Sequence, residues 1–292
     1  MKILITGAAG ILGRHLVEQF VEHDLALPTR KECDLGDHGQ TQRMVRSVRP
    51  QVVIHAAADT NVEACEREPQ RAYRTNAIGT QNLVDALADQ DALLVYISST
   101  GIYGAAQSEP YNEFDDVRPT THYHRAKWHG ELAVQQGVRR HLIVRTGWLF
   151  GAGLDHPRNF VANRLREAAG KEILFGDSTQ VGNPTYAGNV AAQAKTLVEG
   201  EYGGTFNCVD YPAATRLDYV REILKSYGSA GRVEAAQPGT FQRVAPVSPN
   251  ESAVNYKLQL LGIDRMEPWH QSLARYVGTL PARLDGVTAS HA

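Results

Sequence analysis

The chain has 292 residues, 42% of them hydrophobic and 21% charged, with a formal net charge of -2. That length suits one large α/β unit with an appendage. The near-neutral balance excludes the basic field of a nucleic-acid binder, and no apolar run approaches the roughly 20 residues of a membrane span. The opening "MKILITGAAG" lacks the pattern of a secretory leader. Cys33, Cys65 and Cys208 are widely spaced and odd in number, which argues against a disulfide framework and for a reducing compartment. A cytoplasmic protein with buried, apolar cysteines is the expectation.

In chain order, "KILITG" reads as a buried strand, and Leu12, Leu16 and Phe20 follow at helical spacing. "DLALPT" reads as a short second strand, and "DHGQTQRMVRSVRP" as a polar-capped helix ending near Pro50. "QVVIHAAA" predicts a third strand, "TNAIGTQNLVDALADQ" a long helix and "ALLVYISST" a fourth strand. Residues 121–137 read as helix and "HLIVRT" as a further strand. This alternation predicts an α/β fold, a Rossmann-like doubly wound parallel sheet with helices on both faces. After about residue 150, Gly and Pro punctuate "GAGLDHPRN", "GDSTQVGNPTYAGN" and "AQPGTFQRVAPVSPN". A smaller, loop-rich C-terminal region folded over the strand ends is expected there. Residues 1–150 are assigned to dinucleotide binding, with 181–209 returning to them; 151–180 and 210–292 are assigned to the substrate. The last residues, "DGVTASHA", have no periodicity and are expected to fray.

"ITGAAGILG" places Gly7, Gly10 and Gly13, with Ile11 and Leu12 between them, where the first strand turns into the first helix. Glycine permits the tight turn and a close backbone approach to a pyrophosphate, and the helix N-terminus offers free N–H donors. An acidic residue after the second strand would hold the ribose of NAD. This chain has "LPTR" instead, so Arg30, with Thr29, suits a 2′-phosphate. NADP(H) is the preferred cofactor and NAD(H) the other. Asp34, followed by Leu35, lies just beyond, within reach of an adenine.

These motifs, with "CDLGD", "RPQVVIHAAADTNVEACE", "NAIGTQNLV", "YISST", "YHRAK", "RTGWLFG", "RNF", "QVGNPTYAGNVA" and "PWHQSLARYV", resemble the extended short-chain dehydrogenase/reductase family. Within it the chain is most similar to dTDP-4-dehydrorhamnose reductases, which reduce nucleotide-linked 4-keto-6-deoxy sugars. The resemblance implies that Ala56, Ala57 and Ala58 line the cofactor groove and that Asn76 helps hold the site. It implies a substrate wall of Thr60, Val62, Trp148, Asn159, Phe160 and Gln180.

Reducing a ketone requires a hydride on one face and a proton for the developing alkoxide. Tyr123 and Lys127 stand at i and i+4, on one helix face. A nearby ammonium would lower the phenol from its ordinary value of about 10. A hydroxyl from Thr100, at the end of "VYISST", could orient the carbonyl. Alone, Y-x-x-x-K reads as an amphipathic helix. With the glycine turn and the "SST" strand end it matches the family's Ser/Thr–Tyr–Lys triad, and the resemblance also gives Lys127 to the cofactor ribose. His122, His124 and His129 crowd the same stretch, but steps of two and five residues put them on different faces, so no metal is expected.

Two features depart from the family. Related dehydratases carry Asp-Glu after the hydroxyl residue and the rhamnose reductases Asp-Tyr; this chain has Gly101-Ile102 after Thr100. Where a late arginine meets the substrate phosphates, "SPNES" has Ser248, with Arg243 nearby. The leading expectation is an NADPH-dependent sugar-nucleotide ketoreductase. A 4-epimerase retaining NAD, a reductase of another carbonyl and a non-catalytic NADP-binding regulatory subunit are the alternatives. Arg30 points to the reductase, and the triad points away from a regulatory subunit. A nucleotide sugar is the implied partner, no nucleic acid or membrane is expected, and a homodimer is the family's form.

Overall fold

The computed structural model describes residues 1–229 and 231–281. Its first half runs β1 (Lys2–Thr6), α1 (Ile11–Gln19), β2 (Asp24–Ala26), α2 (His38–Val48), β3 (Val52–His55), α3 (Val62–Arg67) and α4 (Pro69–Ala72). A π-helical turn at Tyr73–Ile78 leads into α5 (Gly79–Leu87), followed by β4 (Leu93–Ser99), α6 (His122–Gly137) and β5 (His141–Thr146). The second half holds β6 (Trp148–Phe150), α7 (Phe160–Ala169), β7 (Ile173–Gly176), β8 (Val181–Gly182), β9 (Pro184–Tyr186), α8 (Ala187–Glu199) and β10 (Gly204–Cys208). It ends with β11 (Ala214–Thr215), α9 (Arg216–Tyr227), β12 (Arg232–Ala235), α10 (Tyr256–Leu260) and α11 (Trp269–Gly278).

The central sheet has the order β10-β5-β4-β3-β1-β2, with every pairing parallel. Alternate side chains go to opposite faces. Ile3, Ile5, Val95 and Ile97 meet Leu12 and Leu16 of α1 and Val190 and Ala194 of α8. Leu4, Leu94 and Tyr96 meet Val45 of α2, Leu83 and Val84 of α5 and Val134 of α6. Covering both faces is why these strands read as unbroken apolar runs. Each buried Leu or Ile contributes about 1.5–3 kcal/mol.

Thr6 is in register with His55, and Ser99 with Thr146. The carboxyl ends of β1, β3, β4 and β5 therefore share one rim, where ligands of such sheets collect. Past residue 150 the Gly and Pro punctuation falls between regular elements. It hides α7, α8, α9, α10, α11 and the sixth sheet strand, β10. The last strand pairs, β6 with β9, β8 with β11 and β7 with β12, sit outside the main sheet. A separate apolar cluster holds them, with Phe150, Leu165, Tyr219, Trp269 and Leu273. Among the described residues no helix is long and apolar enough to cross a membrane. The stretch "DGVTASHA" lies outside the described residues.

Candidate active site

β1 runs straight into Gly7, whose φ is +75° and where a Cβ would stand 2.6 Å from the backbone nitrogen of Ala57. The turn thus packs against the chain leaving β3, and only glycine meets both conditions. α1 follows with no side-chain cap and no acid in its first turn, whereas Asp37 caps α2 and Thr121 caps α6. Its first N–H groups are left facing the groove.

A cavity of about 800 Å³ runs from this turn along Gly7 and Gly10 to Thr29, Arg30, Asp34 and Leu35, with Ala56, Ala57 and Ala58 on its wall. Ile11, Leu12 and Gly13 line the adjoining cavity of about 620 Å³. Arg30 is exposed at the lip and takes part in no ion pair among the described residues. The Thr29 hydroxyl donates to Glu32 Oε2 at 2.8 Å, and the Asp34 carboxylate accepts from Gly36 N at 3.0 Å and Arg74 at 3.1 Å. Asn76 does not line the groove. It is buried, donates to Asp59 O at 3.0 Å and accepts from Asp59 N at 2.8 Å, so it fixes the loop beyond β3 rather than meeting a cofactor.

The adjoining cavity gathers Ser98, Ser99, Tyr123, Lys127, Thr146, Arg158, Phe160 and Arg216. Tyr123 and Lys127 come from the buried face of α6, with Ala126, Gly130 and Val134 at helical spacing. Thr100 is not on this wall. It is 1% exposed and opens a 3₁₀ turn, whereas Ser99, the residue before it, lines the cavity and brings a hydroxyl to the place expected of Thr100. Ser99 ends β4 half-buried, and its Oγ accepts from Gly101 N at 3.3 Å, leaving its proton free. The neighbouring Ser98 Oγ is sealed in and has no partner among the described residues.

The electrostatics also differ from expectation. Burial pushes the Tyr123 phenol well up, and Cys65, Glu251 and Asp59 push it the same way. Burial pushes Lys127 down to about 7, opposed by Glu131. Its Nζ lies 4.0 Å from the centre of the Tyr96 ring. Desolvation therefore outweighs the expected help of an ammonium to a phenolate: the phenol keeps its proton and the amine holds its own weakly.

The histidines do not all fall on different faces as expected: His122 and His129, two helical turns apart, flank the same tyrosine, and only His124 stands apart. The His122 ring lies 5.9 Å from Tyr73 and the His129 ring 6.1 Å from the same tyrosine. His124 is buried, with Nδ1 3.0 Å from the Thr121 hydroxyl and its ring 4.9 Å from that of Tyr123. Its Nε2 sits over Gly101, where a Cβ would come within 2.2 Å. Beneath α6, Arg145 pairs with Glu131 at 2.7 Å and donates to the Tyr103 hydroxyl at 2.8 Å. That hydroxyl in turn donates to Asn207 at 2.9 Å. This buried chain ties α6 and β5 to the turn after β4 and to β10.

Of the expected substrate wall, Phe160 and Thr60 line the cleft, and Thr60 accepts from Arg158. Val62 packs behind Tyr123 with Cys65 and Ala72. Asn159 is a helix cap: it accepts from Ala162 N at 3.0 Å and donates to Ala152 O at 2.9 Å and the Tyr276 hydroxyl at 2.7 Å. Gln180 is buried behind Arg216, accepting from its Nε at 3.4 Å. Trp148 donates to Glu251 at 2.7 Å and lies under the Arg216 guanidinium, 3.4 Å from ring centre to Cζ. Val62, Asn159 and Gln180 are thus supports of the wall, not its surface. Sequence reasoning missed Ser99, Arg158, Arg216 and Glu251. Ser99 stands in "SST", Arg158 opens "RNF" and Glu251 lies in "SPNES", so three of the four sat inside quoted motifs without being singled out; Arg216 did not.

Comparison with known proteins gives the family. Residues 1–281 match the family model described as the RmlD substrate binding domain. A dTDP-4-dehydrorhamnose reductase of Mycolicibacterium smegmatis is 32% identical over 93% of this chain and 84% of its own. The solved dTDP-4-dehydrorhamnose reductase of Clostridium acetobutylicum superposes with a TM-score of 0.91 at 31% identity, covering 95% of this chain and 99% of its own. The enzyme of the same name from Bacillus anthracis, solved in complex with NADP, gives 0.89 at 30% identity over 94% and 99%. A parallel sheet with a glycine turn at one end of its rim and a Tyr-Lys helix at the other, matched across nearly the whole chain, places this protein in the RmlD family of sugar-nucleotide reductases.

Proposed function

We propose that this protein reduces the 4-keto group of a dTDP-linked 6-deoxy sugar, as its relatives' names indicate for them, and uses NADPH to do so. The observation that carries this reading is the convergence of Ser99, Tyr123 and Lys127 on one cavity that adjoins the glycine-turn groove. The residues of the groove fit a dinucleotide phosphate: an uncapped helix start, a glycine that admits no side chain, and an arginine at the lip without an acid on it. NADPH, when bound, supplies the hydride that the sugar's C4 accepts. Ser99 donates a hydrogen bond to the carbonyl oxygen and orients it. Tyr123 then gives its proton to that oxygen as the alcohol forms, a role suited to a phenol that burial keeps protonated. Lys127, poised at about 7, can hold or release a proton at Nζ under neutral conditions and so restore Tyr123. Thr100 and Gly101 follow Ser99, so no carboxyl group is placed there for water elimination.

The same reading assigns residues 1–150 and 181–209 to the cofactor, supported by β10 joining the sheet, and 151–180 and 210–292 to the substrate. It includes a cytoplasmic location, supported by the three free buried cysteines, and a homodimer, supported by family resemblance and checked by sedimentation. The test of the chemistry is Tyr123→Phe. Turnover of dTDP-4-dehydrorhamnose, read by loss of NADPH absorbance, should fall about 10³-fold. The NADPH dissociation constant should change less than about twofold. Near-normal turnover in that variant rules the mechanism out.

A further inference from the structure

Among the described residues the late segment places no cation on the wall of the cleft that holds Tyr123 and Lys127. Ser248 is buried, and its hydroxyl oxygen lies 2.6 Å from Gly104 O and 2.7 Å from Asn250 O, so its one proton is held between backbone carbonyls. Arg243 is exposed, at the far rim of a recess of about 300 Å³. Between that recess and the cleft of Tyr123 and Lys127 stands a different arginine. Arg216, half-buried at the start of α9, borders both spaces.

Its guanidinium is held flat. Cζ lies 3.4 Å from the centre of the Trp148 ring and 5.5 Å from that of Phe160, and Nε donates to Gln180 at 3.4 Å. Trp148 is itself fixed by its bond to Glu251 at 2.7 Å. Glu251 acts on Arg216 electrostatically, but its Oε2 is committed to the indole. Among the described residues the terminal nitrogens of Arg216 have no hydrogen-bond partner. A half-desolvated cation with two free donor groups, locked in one plane at a junction, is unfavourable until an anion meets it. A flat fork matches the oxygens of a phosphate. The recess beyond offers Phe160, Phe175 and Phe241, apolar surface suited to a nucleoside.

We propose that Arg216, stacked on Trp148, is the residue that holds the diphosphate of the nucleotide-linked substrate, with the nucleoside in the recess beside it. This rests on the reading of the substrate as a nucleotide sugar. It supplies from α9 the charge that Ser248 lacks.

The test is the binding of dTDP and of thymidine, measured by calorimetry on the NADP-loaded protein. Wild type should bind dTDP far more tightly than thymidine. Arg216→Met should weaken dTDP about 50-fold, the loss of charged hydrogen bonds, and thymidine less than about threefold. Arg216→Lys, which keeps the charge and loses the fork, should weaken dTDP about tenfold and stands in should the methionine variant fail to fold. Arg243→Ala should change either ligand less than about threefold. Unchanged dTDP affinity in the Arg216 variants, or an equal loss for both ligands, overturns the assignment and leaves the reductase reading standing. A wild-type protein that binds no dTDP overturns the nucleotide-sugar reading and this inference with it.

Discussion

The two halves of the cleft are built differently. The cofactor groove is made of backbone: Gly7 pressed on Ala57, the uncapped start of α1, and the small residues Ala56, Ala57 and Ala58. The substrate side is made of side chains propped by other side chains: Arg216 on Trp148, Trp148 on Glu251, Asn159 on Tyr276. A backbone site requires glycines at fixed intervals in one short stretch. A side-chain site can draw its parts from residues 60 to 251, in any order that the fold brings together. The first keeps the same outline for any nucleotide cofactor, and the second can be recut for each substrate.

Perturbing each half tests this contrast. The largest effect is expected at the buried side-chain chain under α6. Glu131→Gln leaves Arg145 without its charge partner and should cost about 3–5 kcal/mol, read as a lower urea midpoint. A loss below about 1 kcal/mol would mean that packing alone holds the turn after β4. Gly7→Ala strains the backbone half. It should cost about 2 kcal/mol of stability and raise the NADPH dissociation constant more than about tenfold, with dTDP binding unchanged. A parallel loss of dTDP affinity would dissolve the distinction between the halves.

Lys127 lies where the halves meet. Burial takes it from 10.5 to about 7, so between those values the unfolded chain holds a proton that the folded protein does not. Its contribution makes stability rise with pH from about 7 toward 10.5, by at most about 1.4 kcal/mol per pH unit. Urea midpoints of the cofactor-free protein should show this rise, and Lys127→Met should remove it; identical slopes would place the amine in water. The smallest effect belongs to the lip. Arg30→Ala should raise the NADPH dissociation constant about tenfold and leave NADH unchanged. Equal effects on both would remove Arg30 from the 2′-phosphate.

The same contrast explains what could be read from the residues alone. The strands and helices of the first half show in local periodicity, and the glycine turn and the Tyr-Lys pair are short motifs whose meaning comes from their combination and the family resemblance. The 3₁₀ turn that retires Thr100 in favour of Ser99 depends on where β4 stops, a boundary that apolar pattern does not mark. Desolvation of Lys127 depends on every element packed around it, and proximity in sequence to Tyr123 says nothing of that. Asn159 and Gln180 matched substrate positions by motif, yet their polar groups are taken up by Ala152, Tyr276 and Arg216. Arg216 had no motif, because its partners Trp148 and Phe160 lie far upstream.

The contact of His124 with Gly101 has an evolutionary consequence. The imidazole occupies the space into which any side chain at 101 would project, at 2.2 Å from the first carbon of that side chain. Bulk at 101 requires the imidazole to move or to be replaced by something smaller. The cost of replacing the glycine therefore depends on what stands at 124, so the two sites are epistatic.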